Sequence, residues 1–207
     1  LTGIGKTMGR LFPLLKAAPA QGIDKVFFLA AKTSGRQTAL DALARLSDST
    51  PALPLRVLEL VARDKACEHP DKACHGESCP LARGFYDRLP AARAAAVGTT
   101  REGKNVPALL QARVREVALQ HEVCPYYLSQ ELARWADVVV GDYNYYFDLG
   151  GLLHGLAQAN QWRTALLVDE AHNLVERGRK MFTAELHPAA LAQARSSPTA
   201  AQHPPVT

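Results

Sequence analysis

The sequence predicts an α/β protein built around a parallel β-sheet with helices packed against it. Short, continuous apolar runs alternate along the chain with segments whose apolar residues recur at helical spacing. Two further features are a glycine-rich Gly-Lys-Thr segment near the first residue and an acidic pair directly after the last apolar run. Both are expected where the strands of such a sheet end and the helices begin.

Four segments are predicted as strands: Val26–Ala30, Leu55–Val61, Asp137–Gly141 and Ala165–Val168. The first and last are continuous apolar runs and are expected to be buried strands, whereas alternation in the second predicts partial exposure. Helices are predicted after Met8 (kinked or ended early by Pro13), after Thr33 and Ser34 with Gln37 completing a capping box, and over Leu81–Val97, Val106–Gln120 and Tyr126–Trp135.

The predicted organisation is one sheet domain interrupted by an insertion. The chain has 207 residues, of which 47% are hydrophobic and 21% charged, enough apolar material to bury a core. Charged residues, histidines and cysteines crowd the middle of the chain. The predicted boundaries are 1–61 for the first part of the sheet domain, 62–124 for the insertion, 125–180 for the second part and 181–207 for an irregular tail.

Composition excludes some classes of protein. No apolar run approaches the roughly 18–20 residues needed to cross a bilayer, which excludes a membrane span. The 24 Lys and Arg against 20 Asp and Glu permit an anionic partner without requiring one. There is no secretory signal pattern, so four clustered cysteines predict metal ligation in a reducing, cytoplasmic compartment rather than disulfides.

The chain opens on Thr2-Gly3-Ile4-Gly5-Lys6-Thr7, which predicts a phosphate-binding turn. Small residues let backbone N–H groups converge on phosphate oxygens at the start of a helix. Lys6 would reach the outer phosphates of a nucleotide, and the Thr7 hydroxyl would bind Mg²⁺. The full pattern needs one more small residue upstream of Leu1, so an incidental glycine-rich loop is the alternative.

The counterpart of this turn is Asp169-Glu170-Ala171-His172, directly after an apolar run. A carboxylate at the end of a buried parallel strand can hold the Mg²⁺ of a bound nucleotide, which predicts that role for Asp169. Glu170 is placed to orient and deprotonate the attacking water. The two motifs together predict hydrolysis of a nucleoside triphosphate; the alternative is an acidic pair that only caps the next helix.

Four cysteines, Cys67, Cys74, Cys79 and Cys124, form three clustered thiols and a distant one. Structural zinc sites usually combine two short cysteine pairs, which this chain lacks. Four thiolates suit a [4Fe–4S] cluster, in which each sulfur binds one iron. The alternatives are zinc, with His69, His75 or His121 as substitute ligands, and cysteines that are unligated or disulfide-bonded.

These motifs resemble those of the XPD/DinG family of iron–sulfur DNA helicases of superfamily 2. The resemblance rests on Thr2–Thr7, on Asp169–His172 and on the four cysteines between them, and it extends to about Arg177. The Cys-Pro-Tyr sequence beginning at Cys124 is similar to a signature of that family, and Ala136–Tyr145 is similar to its next segment. The resemblance implies an incomplete P-loop, RecA-like motor domain with an inserted, mostly helical iron–sulfur subdomain.

The resemblance also implies roles for individual residues. It implies that ATP is bound by Thr2, Gly3, Ile4, Gly5, Lys6 and Thr7, that magnesium is bound by Thr7 and Asp169, and that the catalytic residues are Lys6, Asp169, Glu170 and His172. It also implies that the cluster ligands are Cys67, Cys74, Cys79 and Cys124. The implied DNA contacts are Lys32, Thr33, Arg36, Tyr143 and Asn144. A helix N-terminus with basic residues is also an anion site on physical grounds, although ordinary helix capping explains the same residues. Aromatic residues around Tyr143 could stack on bases, but aromatics after a buried strand more often belong to the core.

The implied activity is ATP-dependent 5′→3′ unwinding of DNA at single-strand/duplex junctions, in DNA repair or replication. We expect the chain alone to show little or no activity, because the resemblance implies a second motor domain that contributes to the ATP site. Two alternatives differ in class: a zinc-containing P-loop NTPase that remodels RNA or protein, and a cluster-bearing nucleic-acid-binding module that does not hydrolyse ATP.

Overall fold

The computed structural model describes the backbone of residues 2–49, 55–98 and 108–196, and the side chains of these ranges from residue 5 onward. The described residues fall into two compact units, divided between Ala171 and His172. The first unit holds the β-sheet together with every described candidate site residue except His172.

The first unit is organised around four parallel strands, β1 (Lys25–Leu29), β2 (Val57–Glu59), β3 (Val138–Gly141) and β4 (Thr164–Val168). Their order across the sheet is β2-β3-β1-β4. Phe27 at the centre of β1 pairs with Val139 of β3 on one side and with Leu166 of β4 on the other. The four predicted strands and the parallel α/β class are therefore confirmed, and the arrangement fits the predicted RecA-like sheet.

Strand β4 is more exposed than predicted. Every residue of β4 is only partly buried, whereas Val26–Leu29 of β1 are buried. Among the described strands β4 lies at the edge of the sheet and pairs only with β1. The prediction of a fully buried last strand is wrong, because an apolar run does not reveal whether its strand lies at the centre or the edge of a sheet.

The described helices are α1 (Thr2–Ala17), α2 (Thr33–Ser49), α3 (Arg63–Ala66), α4 (Phe85–Val97), α5 (Gln111–Gln120), α6 (Pro125–Leu132), α7 (Asn144–Phe147), α8 (Leu152–Ala159), α9 (Asn173–Met181) and α10 (Pro188–Ser196). Helices α1 and α2 pack together on one face of the sheet, where Leu11, Leu15, Leu40 and Leu43 form a buried cluster with Phe28 of β1. Burying each such side chain contributes about 1.5–3 kcal/mol. This cluster fixes both helices beside β1.

Helix α1 differs from the prediction in two respects. It begins at Thr2, so Thr2–Thr7 is helical rather than a turn, and it continues through Pro13 to Ala17. Pro13 removes its own N–H from the helix, but Leu11 and Leu15 on either side are anchored in the core. Each residue added to an existing helix gains one hydrogen bond, which favours extension across the glycines despite a cost of about 1 kcal/mol each. The predicted turn is wrong, and of the two effects predicted for Pro13, a kink or an early end of the helix, the early end is wrong.

Helix α2 forms where it is predicted, but without the predicted capping box. The helix begins at Thr33, which places Ser34 inside its first turn. Gln37 Nε2 donates to Asp41 Oδ1 at 2.8 Å, so this amide is used within the helix. Thr33 Oγ1 accepts a hydrogen bond of 3.0 Å from Arg36 Nη2. The first turn of α2 is therefore tied together by Arg36.

The described part of the predicted insertion contains α3, α4 and α5, and Leu109 forms a single bridge to Leu58 of β2. Helices α4 and α5 pack on each other and on α6, where Arg93 Nη1 lies 3.1 Å from Glu131 Oε1. Helix α4 begins at Phe85 rather than Leu81. Apart from Gly98, the predicted polar loop 98–105 lies outside the described residues, as do the first two residues of the predicted helix 106–120. The insertion boundaries remain a prediction.

The second unit contains α9 and α10. Helix α10 lies within the segment predicted to be an irregular tail, so that prediction is wrong for Pro188–Ser196. The segment is rich in strong helix formers, and Pro188 occupies the first helical position, where proline is favoured. Among the described helices, none combines the length and apolar character that a bilayer span requires.

Candidate functional site

The carboxyl ends of β1 and β4 border a cavity of about 660 Å³, here called the first cavity. Its walls come from α1, the start of α2 and the chain that leaves β4. The lining side chains with hydroxyl or charged groups are Lys6, Thr7, Arg10, Thr38, Asp169 and Glu170. The structure thus brings together the Gly-Lys-Thr segment and the acidic pair, which lie near opposite ends of the sequence.

The acidic pair is positioned by the pairing of β1 with β4. The Asp169 N–H donates to the Leu29 carbonyl at 2.9 Å, which extends the pairing one residue past the strand end. Glu170 has a φ of 51°, in the left-handed region that residues with side chains rarely adopt. Backbone conformations of this kind concentrate at functional sites, where the surrounding structure maintains them. The chain therefore turns between two carboxylates that line the same cavity.

Lys6 and Thr7 reach the first cavity from the first turns of α1 rather than from a loop. Only the first four N–H groups of an α-helix lack an intrahelical acceptor, so the groups that Lys6 and Thr7 offer to a ligand are their side chains. Gly5 is exposed, with open space where a side chain would be. The side-chain positions of Thr2, Gly3 and Ile4, which are predicted ATP contacts, lie outside the described part of the chain.

Arg10 also lines the first cavity, and sequence reasoning missed it. The sequence alone does not indicate it, because the motif predicts a turn at Thr2–Thr7, whereas in the observed helix a residue four positions after Lys6 lies on the same face. Together Lys6 and Arg10 supply cationic donors suited to phosphate oxygens. Thr7 and Asp169 supply the hydroxyl and carboxylate oxygens that Mg²⁺ prefers. These side chains fit a nucleotide with its magnesium ion.

A second cavity, of about 610 Å³, lies where β1, β2 and β3 end and the insertion begins. It is lined by residues from both parts of the first unit, including Thr33, Arg36, Arg63, Lys65, Tyr126, Asp142 and Asn144. The predicted DNA contacts Thr33, Arg36 and Asn144 thus share one cavity with two basic residues of the insertion. Lys32 is exposed in the bend before α2.

Arg36 is the buried cation of the second cavity, only 7% exposed. Its Nη1 lies 3.5 Å from Asp142 Oδ2 and its Nη2 donates to Thr33 Oγ1 at 3.0 Å. Its Nε has no hydrogen-bond partner among the described residues. A buried guanidinium with an unsatisfied donor is costly to leave unpaired, which makes Arg36 a candidate contact for an anion in this cavity.

Tyr143 does not line the second cavity, and its ring is not available for the predicted stacking on DNA bases. Its side chain is completely buried, and its ring packs edge-on against Phe147 with 6.4 Å between ring centroids. A ring without an exposed face cannot stack on a base, so the stacking prediction is wrong for Tyr143 and the core interpretation holds. Asn144 next to it lines the cavity, and its N–H donates to Asp142 Oδ1 at 2.9 Å.

Tyr145 joins the end of β3 to the start of the insertion. Its hydroxyl donates to the Val61 carbonyl at 2.7 Å, and its side chain lines the second cavity. Burial raises the pKa of Tyr145 far above its usual value, with the nearby Tyr126 and Asp142 acting in the same direction. Tyr145 therefore remains protonated and keeps its role as a donor.

The four cysteines are free thiols in the first unit. Cys79 and Cys124 are buried, Cys67 is partly buried and Cys74 is exposed. In the part of the chain that the structure describes, no three His, Cys, Asp or Glu side chains are close enough together to hold a metal ion. The iron–sulfur cluster therefore remains a prediction that rests on the chemistry of the four thiols.

Cys124 is the cysteine nearest the start of α6. Burial raises the pKa of its thiol, while the backbone N–H groups of Tyr127 and Tyr126 oppose this by favouring the thiolate. Cys67 and Cys74 are close enough to raise the pKa further through charge repulsion. Three of the four predicted ligands thus interact electrostatically, and the first turn of α6 presents N–H groups to the sulfur of Cys124.

His172 is the first residue of the second unit and directly precedes α9. The catalytic role that the resemblance implies for His172 remains a prediction.

Comparison with known proteins identifies a family. The model of the DEAD_2 family matches residues 33–191. "Regulator of telomere elongation helicase 1 homolog" of Anopheles gambiae is 30% identical over 138 residues, which cover 61% of this chain and 13% of the relative. "Regulator of telomere elongation helicase 1" of Bos taurus is 27% identical over 173 residues, covering 80% of this chain and 14% of the relative. The chain therefore spans about one seventh of the length of these relatives.

Solved structures are also similar to this chain. One described as "Truncated XPD" has a TM-score of 0.49 and 21% sequence identity, with 84% of this chain and 47% of that chain covered. The resemblance to XPD/DinG-type helicases of superfamily 2, drawn from the motifs, is confirmed by the family match and the sequence relatives.

Proposed function

Because the chain belongs to the DEAD_2 family, we propose that it forms part of an ATP-driven helicase that unwinds DNA. Similar proteins named as helicases support this activity. The same proposal has three finer parts: movement 5′→3′ along single-stranded DNA, a role in repair or replication, and a cytoplasmic location. The four free thiols are compatible with the reducing compartment that it requires.

The observation that carries the proposal is the first cavity, which Lys6 and Thr7 line together with Asp169 and Glu170. Lys6 would bind the outer phosphates of ATP, with Arg10 as a second cation on the same side of α1. Thr7 and Asp169 would hold Mg²⁺, which neutralises charge that develops on the phosphate oxygens. Glu170 would orient the attacking water and accept its proton.

The second cavity is the proposed contact for the DNA backbone. Arg36 lines this cavity, is held in place by Asp142 and Thr33, and would contact a phosphate through its guanidinium charge. Arg63 and Lys65 add positive charge on the insertion side of the cavity. Charge neutralisation of this kind supplies affinity without reading sequence, as a translocating enzyme needs.

We further propose that Cys67, Cys74, Cys79 and Cys124 hold a [4Fe–4S] cluster in the insertion. The electrostatic interaction of Cys124 with Cys67 and Cys74 and the N–H groups at the start of α6 support this proposal. Because α4 and α5 pack on α6, a cluster bound there would fix the insertion beside the second cavity. Its role would be structural support for the place where the duplex is separated.

We propose that the chain alone hydrolyses ATP slowly or not at all. Phosphoryl transfer in two-domain motors uses charged groups from both domains, and the chain spans about one seventh of its relatives. A second motor domain is thus a proposed partner of the first cavity.

Titration of the purified chain with a fluorescent ATP analogue, with and without Mg²⁺, tests the proposed function. Lys6→Ala should weaken magnesium-dependent binding about tenfold or more, because it removes a charge-assisted contact to phosphate. Lys16→Ala is the matched control, since Lys16 is exposed in the last turn of the same helix. Equal binding by the unsubstituted chain and the Lys6→Ala variant would contradict the proposal.

A further inference from the structure

The first turn of α2 is a wall shared by the two cavities. Gly35 and Thr38 line the first cavity, whereas Thr33 and Arg36 line the second. Residues three apart lie on the same side of a helix, so these two pairs form two different faces at the start of α2. The turn that carries the proposed DNA-contacting arginine therefore also borders the proposed ATP site.

The carboxylate of Asp169 lies directly against Gly35. A Cβ atom placed on Gly35 would be 2.7 Å from Asp169 Oδ2 and 3.2 Å from the Cβ of Ala30. Contacts of a Cβ atom shorter than 3.0 Å are essentially absent from real structures, so a side chain here requires the Asp169 carboxylate, the free end of a flexible side chain, to move. Gly35 is not among the glycines with positive φ, so its backbone conformation does not require glycine. Glycine is required here because there is no room for a side chain while the Asp169 carboxylate stays in place.

We propose that Gly35 is the positioning residue for Asp169. The space left by its missing side chain sets where the carboxylate lies in the first cavity, in contact with the turn that carries Arg36. The inference rests on the proposed function, in which Asp169 helps to hold Mg²⁺. Any side chain at position 35 would push the carboxylate out of this place and weaken magnesium-dependent nucleotide binding.

A double-mutant cycle tests the contact without any ligand. Alanine normally stabilises a helix relative to glycine, so the contact with Asp169 decides the sign of the change. We expect the change in thermal unfolding temperature caused by Gly35→Ala to be less favourable in the otherwise unsubstituted chain than in the Asp169→Ala variant. The matched control is Gly155→Ala in α8, where an added Cβ meets nothing within 4 Å. An equal effect of Gly35→Ala on both backgrounds would overturn the proposal.

Nucleotide binding supplies the second test. Gly35→Ala should weaken magnesium-dependent binding of a fluorescent ATP analogue about tenfold or more, as loss of a supporting contact does at other metal sites. Gly155→Ala should bind like the unsubstituted chain. If the unsubstituted chain binds nucleotide without any magnesium dependence, the proposed function fails and this inference fails with it. If that dependence is present and Gly35→Ala retains it in full, only the inference about Gly35 is overturned.

Discussion

Arg115 and Glu68 form a two-pronged ion pair, in which Nε and Nη2 of the arginine donate to the two carboxylate oxygens at 2.6 and 2.9 Å. The hydrogen bonds from Arg115 lower the pKa of Glu68, and the same contact raises the pKa of Arg115. Glu68 directly follows Cys67, and Arg115 lies on α5. The pair therefore ties the segment that carries Cys67 to the helix that leads toward Cys124.

Reversing either charge of this pair should loosen the segment around Cys67. We expect Glu68→Arg and Arg115→Glu each to increase the rate at which Cys67 reacts with a thiol reagent, measured by mass spectrometry of the chain. The increase should be modest, because water screens an exposed pair. The double variant Glu68→Arg/Arg115→Glu should return the rate toward that of the unsubstituted chain. If the double variant reacts as fast as the two single effects combined, the pair does not hold this segment.

The proposed cluster predicts that iron depends on Cys124. The chain purified without oxygen should contain about four irons, as a [4Fe–4S] cluster requires. Cys124→Ser should lose most of that iron and its visible absorption while the first cavity still binds a fluorescent ATP analogue. A variant that keeps its full iron content would contradict the ligand assignment. A colourless unsubstituted chain that contains zinc would support the zinc alternative.

Tyr143 should matter for stability rather than for DNA contact. Replacing this fully buried side chain by alanine removes core packing, so Tyr143→Ala should cost about 3–5 kcal/mol of unfolding free energy in urea titrations. Tyr86 is the matched control because it is 83% exposed, and Tyr86→Ala should change stability by no more than about 0.5 kcal/mol. Equal effects of the two substitutions would show that Tyr143 is not part of the core.

Arg36 should contribute to single-stranded DNA binding through phosphate contact. Arg36→Ala should weaken binding of a labelled oligonucleotide and reduce the slope of log affinity against log salt concentration by about one. Arg45→Ala is the control, because Arg45 is exposed on the same helix. Circular dichroism should confirm that the variant is folded, since the ion pair between Arg36 and Asp142 is lost. An unchanged salt dependence in folded Arg36→Ala would contradict a phosphate contact.

The sheet could be predicted from the sequence because each strand is a local apolar run. Phe27 and Val139 are buried neighbours in the sheet, and both lie in runs recognised without the structure. The partial burial of β4 could not be predicted, because it depends on the order of strands across the sheet. Helical continuity through Pro13 also depends on tertiary packing, here by Leu11 and Leu15.

The candidate site could be predicted where a short sequence motif contains its reactive side chains. Lys6 with Thr7 and Asp169 with Glu170 are such pairs, and the structure places all four in one cavity. Gly35 and Arg10 were missed as parts of that cavity, because their importance comes from what approaches them in space. The predicted DNA contact of Tyr143 is wrong for a similar reason, since a pattern of aromatic residues does not show which rings are buried.

The most direct test of the helicase proposal is ATP hydrolysis stimulated by single-stranded DNA, in a longer form of the protein that includes a second motor domain. Glu170→Gln keeps the shape of the side chain but removes its ability to accept a proton, so binding of ATP should persist while DNA-stimulated hydrolysis falls at least about a hundredfold. Glu176→Gln, on α9, is the control and should hydrolyse ATP normally. Full DNA-stimulated hydrolysis by the Glu170→Gln variant would contradict the assignment of the first cavity as the site of ATP hydrolysis.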